Sequence, residues 1–393
     1  MGFFTTDEKT LPASPSSTPR CGQCRLSQGC QSPKMQPSGQ GLRKVLIVAE
    51  APGKTEDEEG VQLVGEAGRL LRNHLKGLGW SLDRDCWKTN ACTCRPPSNR
   101  TPSDTEIEAC RPNLLKAVQE LQPVVIVALG GTAVKSLLGH IWRDIGPIGK
   151  WVGLQVPVHR YGAWVCPTWH PSYLLRDKDN PALNLLFRQH LEAALGLREK
   201  PRREDHEWLV RREWSPEKAS ELIREEFIGT AGLVAFDYEV DRLKPDHLDA
   251  RIVSCALSNG DFALAFPWTG EVVEATREFL WSKTSKVGWN IKFEERWTRK
   301  EFGKGVRNWL WDGMQAAHVL DNRPGITSLK FQGFVRLGVE PYDTTVSPYL
   351  RADSGNKANR ITQVPLEDLL LYNGMDAMLT SIIGRQQMEE MGR

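Results

Sequence analysis

No run of 18 consecutive apolar residues occurs anywhere in this sequence, and no secretory signal opens it. The first absence argues against a membrane-spanning helix, and the second against an exported, disulfide-stapled chain. Net charge is also scarce: Lys and Arg number 51 against 49 Asp and Glu, leaving +2. A strongly basic tail is therefore not the main binding device, although local basic patches can coexist with acidic metal sites. No internal repeat is visible. The nine cysteines, without an export signal, argue for a reduced, cytoplasmic protein rather than a disulfide framework.

What is present suits a packed protein of more than one domain. The chain has 393 residues, 40% of them hydrophobic and 25% charged, enough for two or three domains. Residues 1–20, rich in Ser, Thr and Pro, read as a disordered leader. Buried strands are expected at 44–50, 123–130 and 164–170, and helices at 65–78, 132–138 and 181–195. Strands alternating with helices and apolar on both faces predict an α/β domain with a mainly parallel sheet over 21–195. Ligands of such sheets gather at the strands' carboxyl ends, where Glu50, Asn90 and His170 stand. Residues 196–206 are almost wholly charged or helix-breaking and read as a linker. A second α/β domain is expected over 207–393, with a strand at 233–239. Antiparallel partners at 251–257 and 262–266 should flank an Asn259-Gly260 turn.

Two groups of residues carry chemistry. In the first half, Cys21 and Cys24 form a Cys-x-x-Cys pair, and Cys94 and Cys110 lie far downstream with 15 residues between them. That arrangement closes a four-thiolate site. Ser103 and Glu106 read as a capping box that starts the helix carrying Cys110. In the second half, Asp237 and Glu239 lie at i and i+2 of a strand and so share a face. Tyr372 and Asp376 are one helical turn apart, and Glu294 comes between these motifs in the chain. These acids and the tyrosine, converging from a strand and two helices, suit two divalent ions about 3.5–4 Å apart, Mg2+ or Mn2+, that cleave phosphodiesters.

The first half resembles the iron–sulfur uracil-DNA glycosylases, families four and five of that superfamily. The resemblance rests on Cys21-x-x-Cys24, on Glu50 to Gly53 with Glu56 and Asp57, and on the run Val64 to Leu71. It continues through Asn90, Cys94, Arg95, Asn99 and Arg100, then Cys110 and His170-Pro171-Ser172. It implies a [4Fe–4S] cluster on Cys21, Cys24, Cys94 and Cys110, with zinc open on the ligands alone and Cys30 a rival ligand. It also implies that the domain flips a base out of the stack. Asn90 would read uracil, His170 would stabilise the leaving base, and Glu50 would position water. Gly53 would let backbone approach DNA, Arg95 and Arg100 would meet phosphates, and Leu63 and Ser172 complete the base-binding set. Leu63 stands where the family usually has a stacking aromatic, and Ala49 replaces a common glycine.

The second half resembles the DEDD-type 3′–5′ exonuclease domain of family A DNA polymerases, a ribonuclease H-like fold with a mixed sheet. The resemblance assigns Asp237, Glu239, Glu294 and Asp376 to the metals and Tyr372 to the water. Glu294 replaces the commoner aspartate, and Trp289 a frequent histidine. Bacteriophage polymerases with this domain order suggest a phage replication enzyme, working in the host cytoplasm beside a separate polymerase subunit. The expected substrate is DNA, single-stranded or at a 3′ end and containing uracil. The expected function is uracil excision joined to proofreading. The alternatives are a proofreading exonuclease whose first half only grips DNA, and a replisome scaffold with both sites dead.

Overall fold

The computed structural model describes residues 18–177, 180–352, 354 and 357–393. The leader expected over 1–20 falls almost wholly outside the described residues. The chain divides into two compact units, Met1–Arg203 with Val335–Glu340 and Glu204–Phe334 with Pro341–Arg393. No helix among the described residues is long and apolar enough to cross a membrane.

The first unit is built on a five-stranded sheet in the order β2-β1-β3-β5-β4. The strands are β1 (Val45–Ala49), β2 (Cys86–Asn90), β3 (Val125–Leu129), β4 (Val156–Val158) and β5 (Ala163–Thr168). All neighbouring pairs are parallel except β4 with β5. Every residue of β1 and of β3 is buried, as both-face coverage requires. Val45 and Ile47 share an apolar core with Leu71, Leu75, Phe187 and Leu191, contributed by the helices Glu66–Gly77 and Pro181–Gly196.

The sequence placed Asn90 at a strand's carboxyl end but gave strand β2 no range, because it carries Lys88, Thr89 and Asn90. All three are nevertheless buried, Lys88 with its ammonium paired to Asp83. Helix α1 (Asp104–Leu121) starts as its sequence predicts: the Ser103 hydroxyl accepts from the Glu106 N–H, and the Glu106 carboxylate accepts from the Ser103 N–H at 2.8 Å.

The second unit holds a six-stranded mixed sheet in the order β11-β10-β7-β8-β9-β6. These strands are β6 (Val210–Arg212), β7 (Leu233–Val240), β8 (Ile252–Ser258), β9 (Ala263–Pro267), β10 (Ser285–Gly288) and β11 (Trp309–Asp312). The expected antiparallel β7-β8-β9 meander is present, with Gly260 at φ +93° in the turn before β9. Short β10 and β11 escape a reading by hydrophobic pattern. In β10, Lys286 is fully buried and spends its ammonium on the carbonyl oxygens of Thr284 and Ser282, at 2.8 and 3.2 Å.

Two further helices position the acids of this unit, α2 (Lys292–Phe302) and α3 (Leu366–Glu390). From Leu369 to Ser381 nearly every side of α3 is buried, as for a helix enclosed by protein. At Gly374 a β-carbon would stand 2.3 Å from Cγ1 of Val210 on β6, so the helix lies against the sheet as closely as backbone allows.

Candidate functional sites

In the first unit, parallel pairing brings the strand ends into register. Ala49 pairs with Asn90, and Leu129 with Thr168, so the residues leaving β1, β2, β3 and β5 gather along one edge of the sheet. Glu50 leaves β1, and its Oε2 accepts the Thr132 hydroxyl at 2.8 Å. Asn90 ends β2 with 3% exposure. A buried amide carries both a donor and an acceptor and is fit to read a ligand edge.

His170 leaves β5 and caps the helix Pro171–Arg176. Its Nδ1 accepts the Ser172 N–H at 3.2 Å and lies 2.8 Å from the Ser172 hydroxyl. A ring nitrogen that accepts from a backbone N–H carries no proton, so the neutral ring holds its hydrogen on Nε2. Burial, then the charge of Arg176, pushes His170 down to about 4.

Glu56 fixes the loops around this edge. Its carboxylate accepts from the N–H groups of Gly53 at 3.1 Å and Gly65 at 2.8 Å. A β-carbon at Gly53 would meet that carboxylate at 2.7 Å, so a larger residue would displace the Glu56 carboxylate from the two N–H groups it holds. Leu63, expected to face the base, is 4% exposed and belongs to the apolar core with Leu71 and Leu75. Its backbone is left-handed at φ +56°, and its carbonyl takes a hydrogen bond from Arg72.

The two arginines expected on phosphates are engaged inside their own loop. Arg95 donates to Asn99 at 2.7 Å and stands 3.8 Å from Asp57. Arg100 grips both carboxylate oxygens of Glu106, at 2.8 and 2.6 Å.

The segments that carry the four thiols named from spacing meet in this unit. Cys21 and Cys24 lie on a short helix docked to α1 by the Arg20 N–H on the Ala109 carbonyl oxygen, at 3.0 Å. The Cys94 sulfur accepts the Lys34 N–H at 3.2 Å, and the Cys110 sulfur accepts the Thr93 N–H at 3.3 Å and the Asn113 amide at 3.5 Å. Cys24 feels the charge of Cys110 and Cys21, while Cys94 feels Cys30 and Cys110. Burial pushes Cys94 up to about 11. Cys110 is drawn down to about 6, first by the Cys92 thiol packed beside it. Cys92 is buried and packs with Ile107 and Cys110 in one small cluster.

In the second unit, Asp237 and Glu239 project from one face of β7 toward Asp376 on α3. One carboxylate oxygen from each lies within 4.8 Å of the others. Burial, then the charges of the neighbouring acids, raises Asp237 and Glu239 well above the ordinary carboxylate range. Such a cluster is short of positive charge.

Glu294, expected as the fourth member, lies outside that trio. It is 2% exposed on α2, its Oε2 has no partner among the described residues, and it still feels the charge of Asp237. Its helix is launched by Asn290 at φ +67°, which Asp312 holds by accepting the N–H groups of Asn290 and Ile291, at 3.1 and 3.2 Å. Asp312 is thus a support for this turn.

Three partners of the acids carried no motif. Asn373 donates to Asp237 Oδ2 at 2.8 Å, Tyr342 donates its hydroxyl to Asp376 Oδ1, and Lys330 stands 3.3 Å from Asp376 Oδ2. Tyr372 is 6% exposed beside them.

Comparison with known proteins agrees with this division. Residues 37–195 match the profile of the Uracil DNA glycosylase superfamily. The type-4 uracil-DNA glycosylase of Pyrobaculum aerophilum is 39% identical over 169 residues, covering 40% of this chain and 81% of that protein. The chain belongs to the uracil-DNA glycosylase superfamily. The type-4 enzyme of Sulfurisphaera tokodaii, 31% identical over 208 residues, covers 51% of this chain and 92% of its own length. Fused to the glycosylase domain is a second one: residues 215–392 match the profile described as 3′-5′ exonuclease. A DNA polymerase of Bacillus phage SP01 is 30% identical over 101 residues, which is 25% of this chain and 11% of that polymerase.

Proposed function

We propose that the chain excises uracil from DNA with its glycosylase domain and removes nucleotides from DNA 3′ ends with its exonuclease domain. The observation that carries the exonuclease reading is the trio Asp237, Glu239 and Asp376, with ligand oxygens within 4.8 Å of one another. Three mutually repelling buried carboxylates fit Mg2+ or Mn2+, and the unpartnered Oε2 of Glu294 offers a further ligand beside Asp237. Divalent ions held there would neutralise charge on the scissile phosphate. Tyr372, at the rim of the trio, would orient the attacking water, and Asn373 keeps Asp237 aimed at the site.

In the glycosylase domain, Asn90 would read the flipped base through one donor and one acceptor. His170, neutral and protonated on Nε2, would donate to a base oxygen as negative charge builds there during bond cleavage. Glu50, held on one oxygen by Thr132, would orient water toward the sugar carbon.

Cys21, Cys24, Cys94 and Cys110 would hold a [4Fe–4S] cluster, a structural tie between the N-terminal segment and the loop after β2. The donor set fits: the Cys110 sulfur already accepts two N–H groups, as a thiolate ligand does. The polymerase relative supports a role beside a DNA polymerase, in proofreading, in the cytoplasm of a phage-infected host.

A second reading is favoured by one observation. Leu63 is packed into the core rather than left to stack on a base, so the first domain would grip DNA without turnover. An oligonucleotide with one uracil, treated with iron-loaded protein and then alkali, separates the readings: a cleaved strand supports excision, an intact strand supports the grip. Release of mononucleotides from a labelled 3′ end in Mg2+, lost in Asp237→Ala, tests the second domain.

A further inference from the structure

We infer that Lys330 is a positioning residue of the exonuclease site: it turns the Tyr372 hydroxyl toward the attacking water and holds down the pull of Asp376 on metal. This rests on the exonuclease reading above. Lys330 Nζ lies 3.0 Å from Tyr372 Oη and 3.3 Å from Asp376 Oδ2, and it stands 4.7 Å from the centre of the Tyr372 ring. An ammonium has three hydrogens and no lone pair, so it can only donate. Tyr372 Oη must therefore accept from Lys330, and its single hydrogen points away from the lysine. The hydroxyl is left as a donor to whatever occupies the space between it and the trio.

Asp376 is clamped on both oxygens, by Tyr342 on Oδ1 and Lys330 on Oδ2. Tyr342 fixes orientation without adding charge. Lys330 adds a positive charge within the reach of Glu239 as well. A fixed ammonium at that distance competes with a divalent cation for the same carboxylates. Losing it should thus tighten metal binding while spoiling turnover, opposite to what a collapsed site would do.

The experiment uses the full chain with Lys330→Met, Lys330→Arg, Tyr372→Phe and the double variant Lys330→Met/Tyr372→Phe. In Mg2+ on a single-stranded oligonucleotide, Lys330→Met should lower kcat roughly 10- to 100-fold with little change in KM, and Lys330→Arg should recover part of that. The double variant should be no worse than the slower single one, because both act through one hydroxyl. Without DNA, Mn2+ titration followed by electron paramagnetic resonance should show about tenfold tighter binding in Lys330→Met. Unchanged kcat, multiplying losses in the double variant, or Mn2+ binding that weakens or stays the same would each overturn the inference. If the parent chain releases no nucleotides, the exonuclease reading fails, and the Mn2+ titration still decides whether Lys330 opposes metal. A melting transition like the parent's identifies variants that fold.

Discussion

Asn373 holds Asp237 in place: its amide nitrogen lies 2.8 Å from Asp237 Oδ2, and its amide oxygen accepts the Ser254 hydroxyl at 2.9 Å. With the oxygen committed to Ser254, the nitrogen can only face the acid. Asn373→Ala should cut exonuclease turnover roughly 10- to 100-fold, as loss of an outer partner of a metal ligand does. It should also destabilise the fold by about 1–3 kcal/mol, because Ser254 is left buried without its acceptor. Mononucleotide release and urea unfolding measure the two effects. Uracil excision that falls in parallel would mean general misfolding instead.

The acid cluster sets how stability depends on pH when metal is chelated. Asp237, Glu239 and Glu294 all have carboxyls raised well above their ordinary values, by burial and by one another. The folded state then binds more protons than the unfolded state once the pH exceeds the ordinary carboxyl value. Stability therefore falls as pH rises through that window. In EDTA the melting temperature should drop from pH 5 toward pH 8 (roughly one to four units above an ordinary carboxyl), and Mg2+ should restore it. Asp237→Asn should raise the EDTA melting temperature while abolishing the nuclease, a trade between stability and function. A melting temperature that climbs with pH in EDTA would count against the cluster.

Uracil excision should be tolerant of acid. His170 is pushed down to about 4, and its Nδ1 is committed to accepting the Ser172 N–H. The neutral ring therefore persists well below the usual histidine range, and protonation near the lowered value would cost that hydrogen bond. The rate should not break at pH 6.5, the value of an unperturbed histidine, but lower, while His170→Asn should lose roughly 10²- to 10⁴-fold. Single-turnover rates across pH measure this, and a break near the unperturbed value would contradict the assignment.

The thiols make unequal claims on iron. Cys94→Ser and Cys110→Ser should lose bound iron and sulfide, because both sulfurs already accept backbone N–H groups in a prepared pocket. Cys30→Ser should keep both. Cys92→Ser should keep iron but alter the reduction potential, since it packs against Cys110. Iron, sulfide and zinc content of each purified variant decide the matter. Zinc in place of iron would make the site tetrahedral and structural.

Much of this was legible because periodicity and local spacing were enough. The buried run of β1, the capping box at Ser103 and the pair Asp237 and Glu239 on one face of β7 each follow from neighbours in the chain. The extent of strand β2 was not legible, since burying Lys88 depends on a partner in space, Asp83, rather than on an apolar pattern. Lys330 and Tyr342 were invisible for a related reason: they meet α3 across 46 and 34 residues of chain with no motif at either end. Glu294 was legible as an acid near the site, but its long arm and its own helix leave it outside the closest trio. The sequence also suggested a base-facing role for Leu63. The left-handed turn there, pressed on Gly68, sends the side chain inward.

The tight seat of Gly374 against Val210 bears on how inactive variants will be interpreted. A methyl group added there would push on β6 and shift the helix that bears Tyr372 and Asp376, although it touches no carboxylate. A genetic screen for lost nuclease should therefore return Gly374 and Val210 beside the acids. Such alleles would mimic a wider catalytic centre than the one the chain possesses.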